Sequence, residues 1–181
     1  DVVFFQSEGQ SLRWCPNVPC QIDFLSFLTG DSSDFSSCEQ GILQYQGEFL
    51  AGEELESGSP FARWVTEQRQ KSQQKLAAYY DTLLDHLLTQ NQPETARERV
   101  RSWIDAVPLS DRAQFWLMRL LVLEGQTQQA IYHYEAFREA KVTQLGQKPS
   151  ESLTALYTRL CQNGSAAPAA SPNSSTPPTV Q

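Results

Sequence analysis

The sequence predicts an all-α fold, a helical repeat of about six to eight helices. Three observations point there. Apolar residues recur at helical spacing from Phe61 onward. The pattern then repeats at an offset of 34 residues, with Ala96 falling on Ala130. Prolines, glycines and amides punctuate it between the periodic stretches.

The chain begins differently. Val2-Val3-Phe4-Phe5 and Ser11-Leu12-Arg13-Trp14 are β-prone, and Gln6-Ser7-Glu8-Gly9-Gln10 between them reads as a turn, so a short N-terminal hairpin is expected over residues 1–15. An isolated hairpin is marginal in water, so it must pack on something or belong to a neighbouring domain. After Pro16 and Pro19 comes a short amphipathic segment from Ile22 to Leu28, ended by Gly30. Ser36 to Tyr45 is expected as a second short helix, and Gly47 to Ser59 as a glycine- and acid-rich connection.

Ser59 is a fitting N-cap, with Pro60 at the first helical position. Phe61, Trp64, Val65, Leu76, Tyr79, Tyr80, Leu83, Leu84, Leu87 and Leu88 then follow at helical spacing. The polar stretch Gln68 to Gln74 interrupts the stripe and predicts a bend or two stacked pieces. Further helices are expected near 93–106, 110–124, 126–143 and 149–162, so the helical domain spans 16–162. Residues 163–181, rich in Ala, Pro, Ser and Thr without a periodic apolar face, read as a disordered linker.

The repeat decides the fold. Leu83 and Leu84 fall on Leu117 and Met118, Leu87 and Leu88 on Leu121 and Val122, Val100 on Tyr134, and Trp103 on Phe137, each 34 residues apart. This is the tetratricopeptide period, the length of one helix–turn–helix unit. A close helix crossing admits only a small side chain, hence Ala96 and Ala130, and a large apolar group four residues later fills the adjoining gap. Pro108 ends the first unit, but Val142 takes its place in the second, so the units are degenerate. Two units bury a core poorly, and the segment with Leu153, Leu156, Tyr157 and Leu160 is expected to cap one end. A generic helical bundle with a chance period is the alternative.

Charge excludes some functions. The net charge of −7 gives no bulk attraction to nucleic acid. Residues 1–60 hold ten acids and one base (Arg13), a net of −9, and the remainder is nearly balanced. No apolar run is long enough to span a bilayer and no secretory segment is present, so a cytoplasmic protein without membrane association is expected. The only methionine is Met118, and the chain reads as a fragment of a longer protein.

No catalytic constellation is expected. Gly9-Gln10-Ser11 and Gly30-Asp31-Ser32 lack the second glycine of a nucleophile elbow and read as turns. Asp85 and His86 are adjacent in a helix and do not face each other. Cys15 and Cys20 lack a second ligand pair, and Glu53, Glu54 and Glu56 read as a solvated loop, so no metal or cofactor is expected. Arg97, Arg99 and Arg101 read as a face salt-bridged to Glu94 and Glu98, not as a DNA contact. The candidate site is a partner-binding groove formed by the first helices of the units: Asp81, Asp85 and Leu88 of one, Arg112, Phe115 and Arg119 of the next. Asp85 and Arg119 occupy the same repeat position and could pair across it. The competing expectation is that Phe115 and Trp116 pack against the capping helix.

Several of these segments resemble a known family in order. Leu43-Gln44-Tyr45-Gln46-Gly47-Glu48-Phe49-Leu50-Ala51-Gly52 resembles a signature of the bacterial transcriptional activator domain (BTAD). So do Phe61-Ala62-Arg63-Trp64-Val65 with Arg69, Pro108-Leu109 with Leu117 to Leu121, and Leu145-Gly146-Gln147-Lys148-Pro149-Ser150 running into Leu156-Tyr157. Ile22-Asp23-Phe24 with Phe27 resembles the family's entry. The resemblance covers residues 20–162; its specificity lies in the order of the motifs and in no single one. It implies a regulatory module that contacts its own neighbouring domains, a second copy or RNA polymerase. It also implies that DNA is read by a missing winged-helix domain, of which the hairpin would be the wing. A generic tetratricopeptide adaptor or scaffold, binding a peptide or partner protein, is the alternative.

Overall fold

The computed structural model describes residues 5–9, 11–15 and 22–164. The fold is all-α and tetratricopeptide-like, with seven helices among the described residues and a hairpin ahead of them. β1 (Phe5–Glu8) and β2 (Ser11–Trp14) are antiparallel, with Glu8 opposite Ser11. The turn is therefore two residues long, shorter than the five expected. Gly9, at φ 65°, supplies the positive dihedral that a two-residue hairpin turn requires. The expected strand residues Val2, Val3 and Phe4 lie outside the described residues, as do Cys20 and the Ser165–Gln181 segment.

The contacts divide the chain into two compact units, residues 1–96 and 97–181. In the first, α1 (Asp23–Thr29) and α2 (Phe35–Gln44) pack on each other and on α3 (Pro60–Thr89). Asp34 caps α2 by accepting from the Ser37 N–H, and Ser59 caps α3 by accepting from the Ala62 N–H. α3 is not two stacked pieces: it is one helix of 30 residues. Its buried positions Val65, Ser72, Leu76, Tyr79 and Leu83 keep helical spacing through the polar stretch, so most of the glutamines sit on the solvent side. Long-range hydrogen bonds fasten the neighbours to α3. The Tyr79 hydroxyl donates to the Phe27 carbonyl (2.8 Å), the Thr82 hydroxyl to the Ser32 carbonyl (2.9 Å), and the Arg69 Nε to the Phe49 carbonyl (2.9 Å).

α4 (Pro93–Ala106) spans the division in sequence. In the second unit, α5 (Asp111–Leu123), α6 (Thr127–Leu145) and α7 (Glu151–Gly164) pack on one another. Their core holds Met118, Leu121, Ala130, Tyr134, Phe137, Leu153, Leu156 and Leu160. Lys141 is buried at its edge, its ammonium against the Asp111 carboxylate, whose other oxygen accepts from the Ser150 N–H (3.1 Å).

The 34-residue period survives down to single hydrogen bonds. The Asn91 N–H reaches the Leu88 carbonyl and the Gln92 N–H the Leu87 carbonyl (3.0 and 2.9 Å). At the end of α5, Gly125 reaches Val122 and Gln126 reaches Leu121 (3.0 and 2.8 Å). Both are Schellman closures, which need a left-handed residue. Asn91 provides it at φ 56° and Gly125 at φ 76°. The degeneracy has a visible consequence as well. α4 stops before Pro108, whereas α6, with Val142 at that place, runs on to Leu145 and ends at Gly146 in the left-handed region.

Candidate interaction surface

Ser110 opens α5 by accepting from the Ala113 N–H (3.3 Å). This sets Arg112, Phe115, Trp116 and Arg119 at i, i+3, i+4 and i+7, along one side of the helix. Trp116 is buried. Phe115 is half-buried and packs against the core that includes Leu153, Leu156 and Leu160 of α7. The Arg112 guanidinium lies 5.3 Å from the Phe115 ring centroid and that of Arg119 lies 4.6 Å from the Trp116 ring centroid. Each stacks a cation on the negative face of a ring, worth about 0.5–1 kcal/mol where exposed. Both arginines are exposed, so this side of α5 presents two oriented guanidinium groups over an aromatic floor.

On α3, Asp81, Asp85 and Leu88 are spaced to share one side of the helix. Asp81 and Leu88 are half-buried and Asp85 is exposed. His86, next along, is exposed with its ring 4.7 Å from that of Phe35, a helix-packing contact.

Each unit also holds a cavity. One of about 290 Å³ lies among α4, α5 and α6 and is lined by Arg101, Ile104, Gln114, Leu117 and His133 among others. At its edge Arg97 pairs with Glu124, Nε donating to Oε1 at 3.0 Å. That partner lies 27 residues on, not one helical turn away as the face of Arg97, Arg99 and Arg101 suggested. In the first unit a cavity of about 190 Å³ is lined by Phe24, Phe27, Tyr45 and Phe49. Phe24 and Phe49 stack at 4.2 Å, and Trp64 meets Phe49 edge-on at 5.6 Å. Arg69 holds this segment by donating to the Phe49 and Leu50 carbonyls, and Leu50 stands at φ 50°. Burial, with Glu48 adding to it, pushes the Tyr45 phenol above its ordinary value.

Among the described residues no group of His, Cys, Asp and Glu is placed to hold a metal ion, and Cys15, Cys38 and Cys161 are free thiols. Burial pushes the Cys38 thiol up. No described helix is long and apolar enough to cross a membrane. The long-range pairs Arg97–Glu124 and Lys141–Asp111 escape a reading by periodicity, because their partners lie on other elements.

No curated protein and no solved structure matches the chain. A family profile does, that of the bacterial transcriptional activator domain, over residues 32–161. The matched span opens just ahead of the Asp34 cap of α2 and closes within α7, taking in both repeat units and the Arg69-held segment. The chain belongs to the bacterial transcriptional activator domain family, the regulatory domains of transcription activators.

Proposed function

We propose that this domain acts as the protein-interaction module of a cytoplasmic bacterial transcription regulator, making contacts with its own neighbouring domains, a second copy or RNA polymerase. The observation that carries the reading is the side of α5 on which Arg112 and Arg119 are stacked over Phe115 and Trp116. Preorganised guanidinium groups on aromatic supports lose little side-chain entropy on docking, and arginines and aromatic residues are enriched where interfaces draw their energy. Asp81, Asp85 and Leu88 on α3 are proposed to contribute contacts of the same kind. DNA reading is assigned to a winged-helix domain to which the Phe5–Trp14 hairpin would belong. The family match favours this reading over a generic adaptor.

The test is Arg119→Glu, with binding to purified bacterial RNA polymerase and self-association both measured. The expected result is an affinity loss of about tenfold for the partner engaged, with far-ultraviolet circular dichroism unchanged. Unaltered affinity for both would sink the α5 surface.

A further inference from the structure

α6 and α7 leave a groove of about 870 Å³ between them. Its floor is apolar: Tyr134 and Val142 from α6, Pro149 from the connection, and Ala155 from α7. Val142 is 48% exposed, and Leu145 further along α6 is 50% exposed. Exposed Arg138, Lys148 and Arg159 stand around it, against one acid, Glu151. Among the described residues no hydrogen bond or ion pair engages these three cations, whereas Arg69, Arg97 and Lys141 are all engaged. Unpaired cations around an exposed apolar strip are the composition of a docking site, not of a solvated face.

The repeat says what shape of partner fits. The cavity between α4 and α5 receives a third wall from α6, whose Gln129 and His133 join Ile104 and Gln114. α6 and α7 are the next pair in the same series. Ile104 corresponds to Arg138 by the 34-residue period, and Gln114 corresponds to Thr154 when counted from the caps Ser110 and Ser150. Arg138 and Thr154 both line the open groove. The place that α6 takes beside α4 and α5 thus has no helix beside α6 and α7 among the described residues. The sequence that follows, Ser165–Gln181, contains four prolines, no acidic residue and Val180 as its one large apolar residue. It has neither the apolar stripe nor the charge to match.

We propose that this groove receives an acidic amphipathic helix of a partner protein, its apolar stripe on Val142 and Ala155 and its carboxylates on Arg138, Lys148 and Arg159. The site goes beyond the α5 side proposed above and stands whether or not that side binds. A phosphate backbone or an anionic lipid would satisfy the cations. The phosphate backbone would leave the apolar floor unused.

The test uses the full chain and fluorescence anisotropy. The probe is a labelled helical peptide of about 18 residues with Leu and Ala on one face and Glu on its flanks. A twin carrying Lys in place of Glu, phosphatidylglycerol vesicles and duplex DNA are the comparison arms. The glutamate peptide is expected to bind and the lysine twin not. The double variant Arg138→Glu/Arg159→Glu should weaken binding about tenfold or more, and Ala155→Trp, which fills the floor at an exposed position, should abolish it. Both variants should keep the wild-type circular dichroism spectrum. If one misfolds, Lys148→Glu, outside both helices, supplies the same reading. Equal binding of the twin, no binding of the glutamate peptide, or binding indifferent to these substitutions would overturn the proposal. So would vesicle or DNA binding that depends on Arg138 and Arg159 while the peptide fails to bind.

Discussion

Tyr79 of α3 stands directly against Gly41 of α2: a Cβ added to Gly41 would lie 2.5 Å from the tyrosine ring. The ring is fully buried, and its hydroxyl donates to the Phe27 carbonyl. One side chain therefore fixes both short helices on α3. Gly41 carries ordinary helical dihedrals, so its role is to let that ring approach and not to supply a turn.

Gly41→Ala should accordingly destabilise the domain although alanine is the better helix former. Propensity favours the change by about 1 kcal/mol. Forcing a methyl into a packed site costs about 1–3 kcal/mol and here meets an aromatic ring held at both ends. A net loss of about 1–2 kcal/mol is expected in urea unfolding. A Tyr79→Leu background should remove most of the effect of the alanine. A stabilised Gly41→Ala protein would refute the close approach.

The Lys141–Asp111 pair joins α5, α6 and the entry to α7. Asp111→Ala strands the buried ammonium and removes the acceptor of the Ser150 N–H, so a loss of about 3 kcal/mol is expected. Lys141→Met combined with Asp111→Ala should be less damaging than Asp111→Ala alone, because a packed apolar pair avoids the cost of desolvating two charges. Chemical denaturation of the three proteins checks the order.

These two relationships show what was legible in the sequence. The helices and their period were, because buried apolar positions announce themselves by spacing: Ala96 and Ala130, Val100 and Tyr134, Trp103 and Phe137 are all buried. The continuity of α3 was not, because Ser72 is a buried polar residue in the middle of a glutamine-rich stretch and a hydrophobicity pattern counts it as a gap. Lys141 carries no signal for the same reason, as its burial depends on an aspartate 30 residues away. Gly41 carries no signal at all without Tyr79 beside it. The spacing of Arg112, Phe115 and Arg119 on one side of a helix is readable from sequence, but the stacking of the two arginines on Phe115 and Trp116 is not, because ring orientation leaves no mark in the spacing.

Acid should act on the start of α2. The Ser37 hydroxyl and N–H hold the Asp34 carboxyl below its ordinary 3.8, and the Ser33 N–H and hydroxyl do the same for Asp31. A carboxyl whose folded value is depressed contributes stability above its unfolded value, and that stability is lost as pH falls through the folded value. Thermal stability should therefore decline as pH drops below about 4. Asp34→Asn retains a good cap without a titrating group, and its acid decline should be shallower than that of the wild type. Parallel declines would detach Asp34 from the acid sensitivity.

The last prediction concerns the segment from Tyr45 to Ser59, which has no regular helix or strand of its own. Arg69 donates from Nε to the Phe49 carbonyl and from Nη2 to the Leu50 carbonyl (2.9 and 2.8 Å), with Glu48 3.8 Å away. The planar fork satisfies two adjacent carbonyls at once where the chain bends through the left-handed Leu50 and Gly52. A lysine, a single flexible point charge, cannot span both. Arg69→Lys should keep the helical signal of α3, since the position is only half-buried. It should nevertheless lower stability by about 1–2 kcal/mol and speed amide exchange at Ala51 and Glu53, whose N–H groups close turns onto the Glu48 and Leu50 carbonyls. Phe49 stacks on Phe24 and meets Trp64, so the loosened segment should also alter the Trp64 environment. Unchanged exchange in Arg69→Lys would show that the aromatic contacts alone hold the segment.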